Sequence, residues 1–473
     1  MTLLRDPCML RERLGAEQWE RLMHLDQVRS APRVSPATPR GIVGSPSPDY
    51  DVVFAGGGLS ILLAARLALL GLRVAVFERA VAGRAHREWN ASFPELQQLT
   101  TLGLVDAATL ERLCVARYDR AFCRFGAGAT HVVRGVLDCA VDAGGLLAHV
   151  RTLATALGVE FHDGAAVLEI EASAAGARIL VGGAGSARAV HAHAVVEARG
   201  ASSPYATADL ICPTVGGVLR GLEPGDGPLQ VDPRVGEILV TTRGLVGGLQ
   251  PIWEAFPGRD DLTTVYLFEY QRADSPQGSL VSLYARFFDE LAEYKQGEAT
   301  LERATFGYIP GWSRLTPRPH SPHPRIVLVG DAAALHSPLT FCGFGSMLRS
   351  VGPMADALAE RVRESHWDAK VQDDAPIHRR TGLLARLMAR SGLAGHELNE
   401  LLDVAFGELS ALGDTAYAAL LRDEMSARDF FRFVVRTAGR KPSVYRSVQR
   451  ALGVPAAVSW ASGLSRDALL DRA

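Results

Sequence analysis

The chain has 473 residues, is 48% hydrophobic and 22% charged, and carries a net charge of −2. Its length exceeds a single small domain of roughly 100–200 residues, and its apolar content excludes a disordered chain. With 50 Lys and Arg against 52 Asp and Glu, it has almost no net field to attract a polyanion, which disfavours a nucleic-acid binder.

Residues 1–48 stand apart in composition. Met1 to Gln27 carries Leu14, Trp19, Leu22 and Met23 in an amphipathic pattern, and the Pro/Ser-rich stretch from Ser30 to Pro48 reads as a linker. The segment lacks the basic-then-apolar pattern of a secretory leader. Asp6, Glu12, Glu17 and Glu20 make it too acidic for a typical transit peptide, so an N-terminal extension is expected. From Tyr50 a short apolar run, Asp51 to Ala55, ends in Gly56-Gly57-Gly58. Leu59, Leu62, Leu63, Leu67 and Leu70 then recur at helical spacing, and Arg73 to Phe77 forms a second apolar run. This is a β-α-β unit, which implies a parallel sheet with a right-handed crossover. The most apolar stretch, Leu59 to Leu72, is broken by Arg66, so no spanning helix is predicted.

Further strands are predicted at 158–161, 165–171, 178–181 and 193–197. The region from Tyr205 to Trp312 alternates as an antiparallel sheet does, notably Thr263 to Phe268. A parallel-type strand returns at Arg325 to Val329, followed by Gly330-Asp331, and the chain is helical from about Met347 onward. Six cysteines without a C-x-x-C pair support neither a disulfide scaffold nor a zinc ribbon. His191-Ala192-His193 has no third ligand nearby, so no metal is expected.

The glycine run sits where a dinucleotide fingerprint requires it, between a strand and a helix. Gly56 permits the tight turn, Gly57 lies between, and Gly58 lets the backbone approach a pyrophosphate at the helix N-terminus. Ile61 stands where the fingerprint has its third glycine, so helix and strand must pack differently there. Glu78 ends the second strand at the offset of a ribose-binding carboxylate, with Arg79 beside it. Asp331, followed by three alanines and the loop from His336 to Gly345, is similar to the late strand and helix that hold the flavin in hydroxylase-like flavoproteins. Gly343 and Gly345 suit close approach to a flat ring. FAD rather than NAD is therefore expected as the tightly held cofactor. The predicted fold is α/β: an FAD-binding, Rossmann-like parallel sheet of the glutathione-reductase/hydroxylase type, an inserted antiparallel substrate sheet and a C-terminal helical layer. The expected divisions are 1–48, 49–204 and 319–365 (the two parts of the FAD-binding domain), 205–318 (the substrate sheet) and 366–473.

Several strings together resemble one family. Arg87 to Ser92 (R-E-W-N-A-S), Pro251 to Pro257 (P-I-W-E-A-F-P), Phe306 to Pro310 and Ser337 to Met347 are similar, in this order, to elements of the CruA/CruP-type lycopene cyclases. The resemblance covers roughly residues 50 to 360. It implies an FAD-dependent carotenoid cyclase with an apolar carotenoid substrate and NAD(P)H as the external reductant. It also implies a cytoplasmic, peripherally membrane-attached protein, or a plastid one in a photosynthetic eukaryote.

Cyclisation begins when an acid protonates a terminal double bond, so it needs a carboxylic acid kept neutral in an apolar pocket. Glu254 and Glu269 are the candidates; the alternative for each is a solvated strand-end carboxylate. Glu88, Trp89 and Asn90 are expected near the flavin, Trp89 by stacking and Asn90 by hydrogen bonding, unless they form a buried Trp and a turn. Trp253 neighbours the first candidate acid, and one of Phe341 and Phe344 is expected to line the substrate cavity. His336 is either an acid-base group or a hydrogen-bonded structural residue, and nothing marks Cys342 as an activated thiolate. Two other activities remain open: an FAD monooxygenase or reductase acting on an apolar isoprenoid or aromatic substrate, and a non-catalytic carotenoid-binding flavoprotein. The near-zero net charge predicts membrane attachment through apolar contact, insensitive to salt.

Overall fold

Val52, Val53, Phe54 and Ala55 are all buried, as a strand covered on both faces requires. The computed structural model describes residues 7–30, 47–85, 88–183, 186–274, 278–313, 321–337, 339–340, 342–367, 376–389 and 396–470. In it the strand Tyr50–Ala55 is the centre of a parallel sheet. Val74–Glu78 pairs on one side and Glu160–Asp163 extends that edge; on the other side lies the C-terminal half of Ser186–Glu197. Ile326–Leu328 joins Ser186–Glu197 in parallel. A strand some 270 residues downstream in the chain thus carries Gly330 and Asp331 to the same sheet edge as Gly56. The first half of Ser186–Glu197 instead continues into an antiparallel meander with Ala177–Gly183 and Ala166–Ala172. Helices Ile61–Leu69, Ala143–Ala156 and Gly343–Glu364 share one core with this sheet.

A second sheet of eight strands stands opposite. Its order is Gln271–Arg272, Leu210–Leu222, Thr263–Glu269, Pro251–Pro257, Val235–Thr241, Arg120–Phe125 and Thr130–Val133, with Gly297–Gly311 also paired to Leu210–Leu222. All these pairings are antiparallel except that of Val235–Thr241 with Arg120–Phe125. The sheet therefore reaches outside 205–318 and takes two strands from 120–133. Val235–Thr241 is buried along its whole length, and it needs a hydrogen-bonding neighbour on both edges.

Alternation along the strands sorts side chains between two faces. Val215, Trp253, Ala255, Val265 and Leu267 point to one face, under helix Leu280–Tyr294 and the N-terminal helices Pro7–Leu14 and Ala16–Ser30. Residues 7–30 are thus part of the layer rather than a detached extension. Leu10, Leu14 and Leu22 are buried, and Asp26 Oδ1 accepts from the Leu280 backbone N–H at 2.9 Å and the Tyr308 hydroxyl at 2.6 Å. Ile252, Phe256, Tyr266 and Phe268 point to the other face, which the C-terminal helices partly cover. There Phe406 of helix Glu397–Ser410 packs on Phe125 at 4.8 Å between ring centres. Among the described residues no helix is long and apolar enough to cross a membrane.

Candidate active site

Ligands of open α/β sheets sit beyond the carboxyl ends of the strands. Here a cavity of about 650 Å³ opens at that edge and runs to the second face of the antiparallel sheet. Three strand ends build its first wall, and each turns on a glycine with positive φ: Gly56 (+101°), Gly200 (+65°) and Gly330 (+54°). A Cβ on Gly56 would lie 2.6 Å from the Ala198 carbonyl oxygen, whereas one on Gly58 would meet nothing within 4 Å. Gly58 is therefore bare toward the cavity, as a backbone that approaches a ligand requires. Gly57 is different: its Cβ would strike Ala82 at 2.6 Å, so packing rather than a ligand demands glycine there. Ile61 is fully buried, and its Cδ1 lies 3.4 Å from the position a Cβ would take on Gly83. That is ordinary contact, so Gly83 is glycine for its φ of +79° rather than for room beside Ile61.

Glu78 lines the cavity and accepts the Gly57 and Ala80 backbone N–H groups, each at 2.9 Å. Arg79 and Arg84 stand beside it. Asp331 lines the same wall, and its Oδ1 is hydrogen-bonded to His336 Nε2. His336 is buried, so its observed contact is to hold Asp331. Gly343, at the start of helix Gly343–Glu364, is close to the His336 ring, where a Cβ would collide at 2.1 Å. Gly345 does not reach the cavity. Its glycine is explained by Glu95, whose Oε1 would lie 2.7 Å from a Cβ there.

The opposite wall is apolar and comes from Cys212, Ile238, Tyr266, Phe268 and Ile309. Glu254 is set into it between Ile252 and Phe256 on the strand Pro251–Pro257. Its Oε1 accepts the Asn90 amide Nδ2–H at 2.8 Å. Protein encloses the carboxyl on every side but the cavity, and that burial pushes its pKa up to about 7, against the smaller opposing effect of the Asn90 hydrogen bond. Four carboxyl groups line the cavity: Glu78, Glu88, Glu254 and Asp331. Glu78 faces backbone N–H groups, Glu88 pairs with Arg303 and Asp331 faces His336. Glu254 alone of the four is held by a neutral side-chain amide. Burial also raises the pKa of Glu88, against the Arg303 guanidinium.

The strand Trp89–Ala91 carries Asn90, and Trp89 stacks on Phe344 at 4.6 Å between ring centres. Both rings line the cavity. Glu88 is fixed through its backbone, with its N–H and carbonyl both 3.1 Å from the Tyr266 hydroxyl. The Cys342 thiol lies under Asn90, and burial pushes its pKa up to about 12, so it is no thiolate. Phe341 lies outside the described residues.

Two expected site residues point away. Trp253 is fully buried on the opposite face, stacked on Tyr294 at 4.9 Å. Glu269 shares that face and is ion-paired with Arg286 of helix Leu280–Tyr294. Pairing across the sheet places Glu254 opposite Tyr266 and Trp253 opposite Leu267, so neighbouring residues serve different layers. Glu269→Gln is accordingly expected to lower stability by about 1–3 kcal/mol in thermal or denaturant unfolding, with turnover unchanged.

Arg199, Gly200 and Ser202 line the cavity too, at the end of Ser186–Glu197. Arg199 is anchored by Glu197, which is fully buried, and by the Val167 carbonyl at 3.0 Å. Sequence reading missed them, although Ala198-Arg199-Gly200 repeats the strand-then-glycine pattern that marked Gly56 and Gly330. Among the described residues no group of three His, Cys, Asp or Glu is placed to hold a metal ion.

No family profile and no curated protein sequence matches the chain. Solved structures do. A geranylgeranyl bacteriochlorophyll reductase-like protein from Thermoplasma acidophilum aligns over 85% of this chain and 99% of its own, with a TM-score of 0.55 at 15% identity. The halogenase PltM in complex with phloroglucinol and FAD aligns over 88% and 96%, with a TM-score of 0.57 at 13% identity. The anhydrotetracycline hydroxylase OxyS from Streptomyces rimosus aligns over 79% and 75%, with a TM-score of 0.52 at 18% identity. At such identities the likeness defines the fold: a mixed α/β architecture with a helical C-terminal layer, shared with flavin-dependent enzymes.

Proposed function

We propose that the protein is an FAD-dependent enzyme that closes a ring on a linear carotenoid end, a lycopene-cyclase-type isomerase. The observation that carries this reading is Glu254, a carboxyl group with a pKa of about 7 in an apolar cavity wall. Such a group is about half protonated at neutral pH, and its neutral form can deliver a proton to an alkene.

The residues of the first wall fit FAD. The bare Gly58 backbone at the N-terminus of helix Ile61–Leu69 suits a pyrophosphate. Glu78 suits the ribose hydroxyls, and Asp331 with Gly330 would hold the flavin end. Reduced FAD, fed by NAD(P)H, supplies an electron-rich ring that can stabilise a cation without net redox change. The chain's own residues do the rest. Glu254 holds the initiating proton. Asn90 donates to Oε1, which leaves Oε2 to carry that proton. Tyr266, Phe268, Trp89 and Phe344 present aromatic faces that exclude water and favour a cation. After transfer the Glu254 carboxylate is the base of the apolar half.

The kinds of enzymes that share the fold favour a second reading, an FAD monooxygenase or reductase acting on an apolar substrate. Expression in a lycopene-accumulating host separates the two. Cyclic carotenoids are expected. Unchanged lycopene together with NADPH-dependent oxygen uptake would move the assignment to the oxygenase, and pigment retained without any turnover would move it to a binding protein.

A further inference from the structure

The net charge of −2 conceals a strong asymmetry. Residues 427–470 hold eight Arg and Lys against two Asp, so the rest of the chain is correspondingly acidic. These residues fold into three mutually packed helices, Ala427–Arg440, Val444–Leu452 and Val454–Leu470. Glu408 holds Arg436 and Arg440, and Glu400 holds Lys441, which ties part of the charge to the body of the protein. Arg428, Arg432, Arg446 and Arg450 are exposed, Arg432 beside Asp429 on its own helix.

The same three helices expose large apolar side chains. Tyr445 is 66% exposed, Val458 60% and Leu469 65%, and Val435 and Val454 are each 52% exposed. On the last helix Val454, Val458, Ala461, Ser465 and Leu469 follow one another at spacings of three and four, which places them on one face, and all five are exposed. No charged residue occurs on that helix before Arg466. An uncharged outer face is unusual for a helix bathed in water.

We propose that these three helices form a docking surface for an anionic lipid bilayer, into which Tyr445, Val458 and Leu469 insert while the arginines meet the headgroups. The combination of exposed apolar residues and exposed arginines on the same three helices matches the chemistry of an interfacial helix. A second copy of the chain would bring two surfaces of the same positive sign together, which charge disfavours. Nucleic acid has no use for the uncharged outer face. The chain-wide charge predicts salt-insensitive attachment, whereas this distribution predicts that salt releases the protein. The proposal does not depend on the substrate, since it concerns a surface on the helical layer.

The test is co-sedimentation of the full chain, without substrate, with vesicles of phosphatidylcholine alone or mixed with phosphatidylglycerol. Binding is expected with the anionic vesicles at low salt, and loss of most of it at high salt. Arg446→Glu with Arg450→Glu should weaken binding more than about tenfold, because each cation near such a surface is worth roughly fivefold. Val458→Asp with Leu469→Asp should weaken it as much, with unchanged thermal unfolding as the control for folding. No binding of the wild type to anionic vesicles overturns the proposal, as does equal binding by both variants. A dimer in solution that Val458→Asp with Leu469→Asp dissociates, without vesicle binding, also overturns it and gives the face to a second copy. Cyclic products in the lycopene host would be unaffected by such a failure, so the two readings fall separately.

Discussion

Glu254→Gln is expected to lower turnover by about 10²–10⁴-fold, the range a positioned general acid contributes, with flavin content unchanged. Gln keeps the shape of Glu and still offers an oxygen to the Asn90 amide, so the proton is what the variant removes. On the proposed function the reactive form is the neutral acid, whose pKa burial raises to about 7. Rate should therefore be maximal below pH 7 and fall as the pH rises through about 7, and the residual rate of the variant should lack that limb. Stability should also fall with rising pH. A carboxyl whose pKa is raised by folding stabilises the fold least when it is ionised, so the folded protein loses stability as pH climbs from about 4.5 to about 7. Gln escapes that loss. At pH 8 the variant should be more stable than the wild type by up to roughly 3 kcal/mol, read from denaturant unfolding at two pH values. An unchanged pH profile in the variant would remove Glu254 from the chemistry.

Gly56→Ala is expected to cost more than about 3 kcal/mol and to release the flavin. At φ of +101° an L-residue is strained, at a cost of order 1–3 kcal/mol. The added Cβ would also lie 2.6 Å from the Ala198 carbonyl oxygen and 3.0 Å from the Arg199 nitrogen. Both contacts are backbone, so neither can be relieved by turning a side chain. Relief would push apart the strands Tyr50–Ala55 and Ser186–Glu197, whose ends carry two of the three glycine turns of the cavity wall. Gly58→Ala, with open space around its Cβ, should leave stability unchanged and weaken flavin binding alone. Flavin absorbance after gel filtration and thermal unfolding distinguish the two outcomes.

The β-α-β unit and its glycine turn could be read from sequence because local pattern and ligand chemistry coincide there. Gly56 and Glu78 are separated by one strand, one turn and one helix, and those elements set their relation almost completely. The second strand-end pair, Gly330-Asp331, was legible for the same reason. Arg199-Gly200 carries the same local signature, but its strand begins far outside the sheet's parallel part, and nothing nearby in sequence indicates which end reaches the cavity.

The strands around Glu254 show the limit most clearly. A half-buried strand betrays its inner face by alternating apolar and polar residues. Pro251–Pro257 and Thr263–Glu269 are covered on both faces, so the alternation expected over Thr263 to Phe268 does not correspond to an inner and an outer face, and Trp253, Glu254 and Glu269 carry no mark of theirs. Sequence could show that Trp253 and Glu254 must point oppositely, yet not which one meets the cavity. Pairing with Asn90, 164 residues away, and with Arg286 of a covering helix separates an acid in a pocket from an acid in an ion pair. Composition likewise gave a net charge near zero and the sequence a cluster of eight cations over residues 427–470, while packing tied Arg436, Arg440 and Lys441 to the body of the protein. The sequence by itself determined the nucleotide-type sheet, its glycine turns and the residue types available for acid chemistry, because these rest on local periodicity and backbone sterics. Only the tertiary structure decided which carboxyl is desolvated and which of the C-terminal cations stay exposed, because both depend on neighbours remote in the chain.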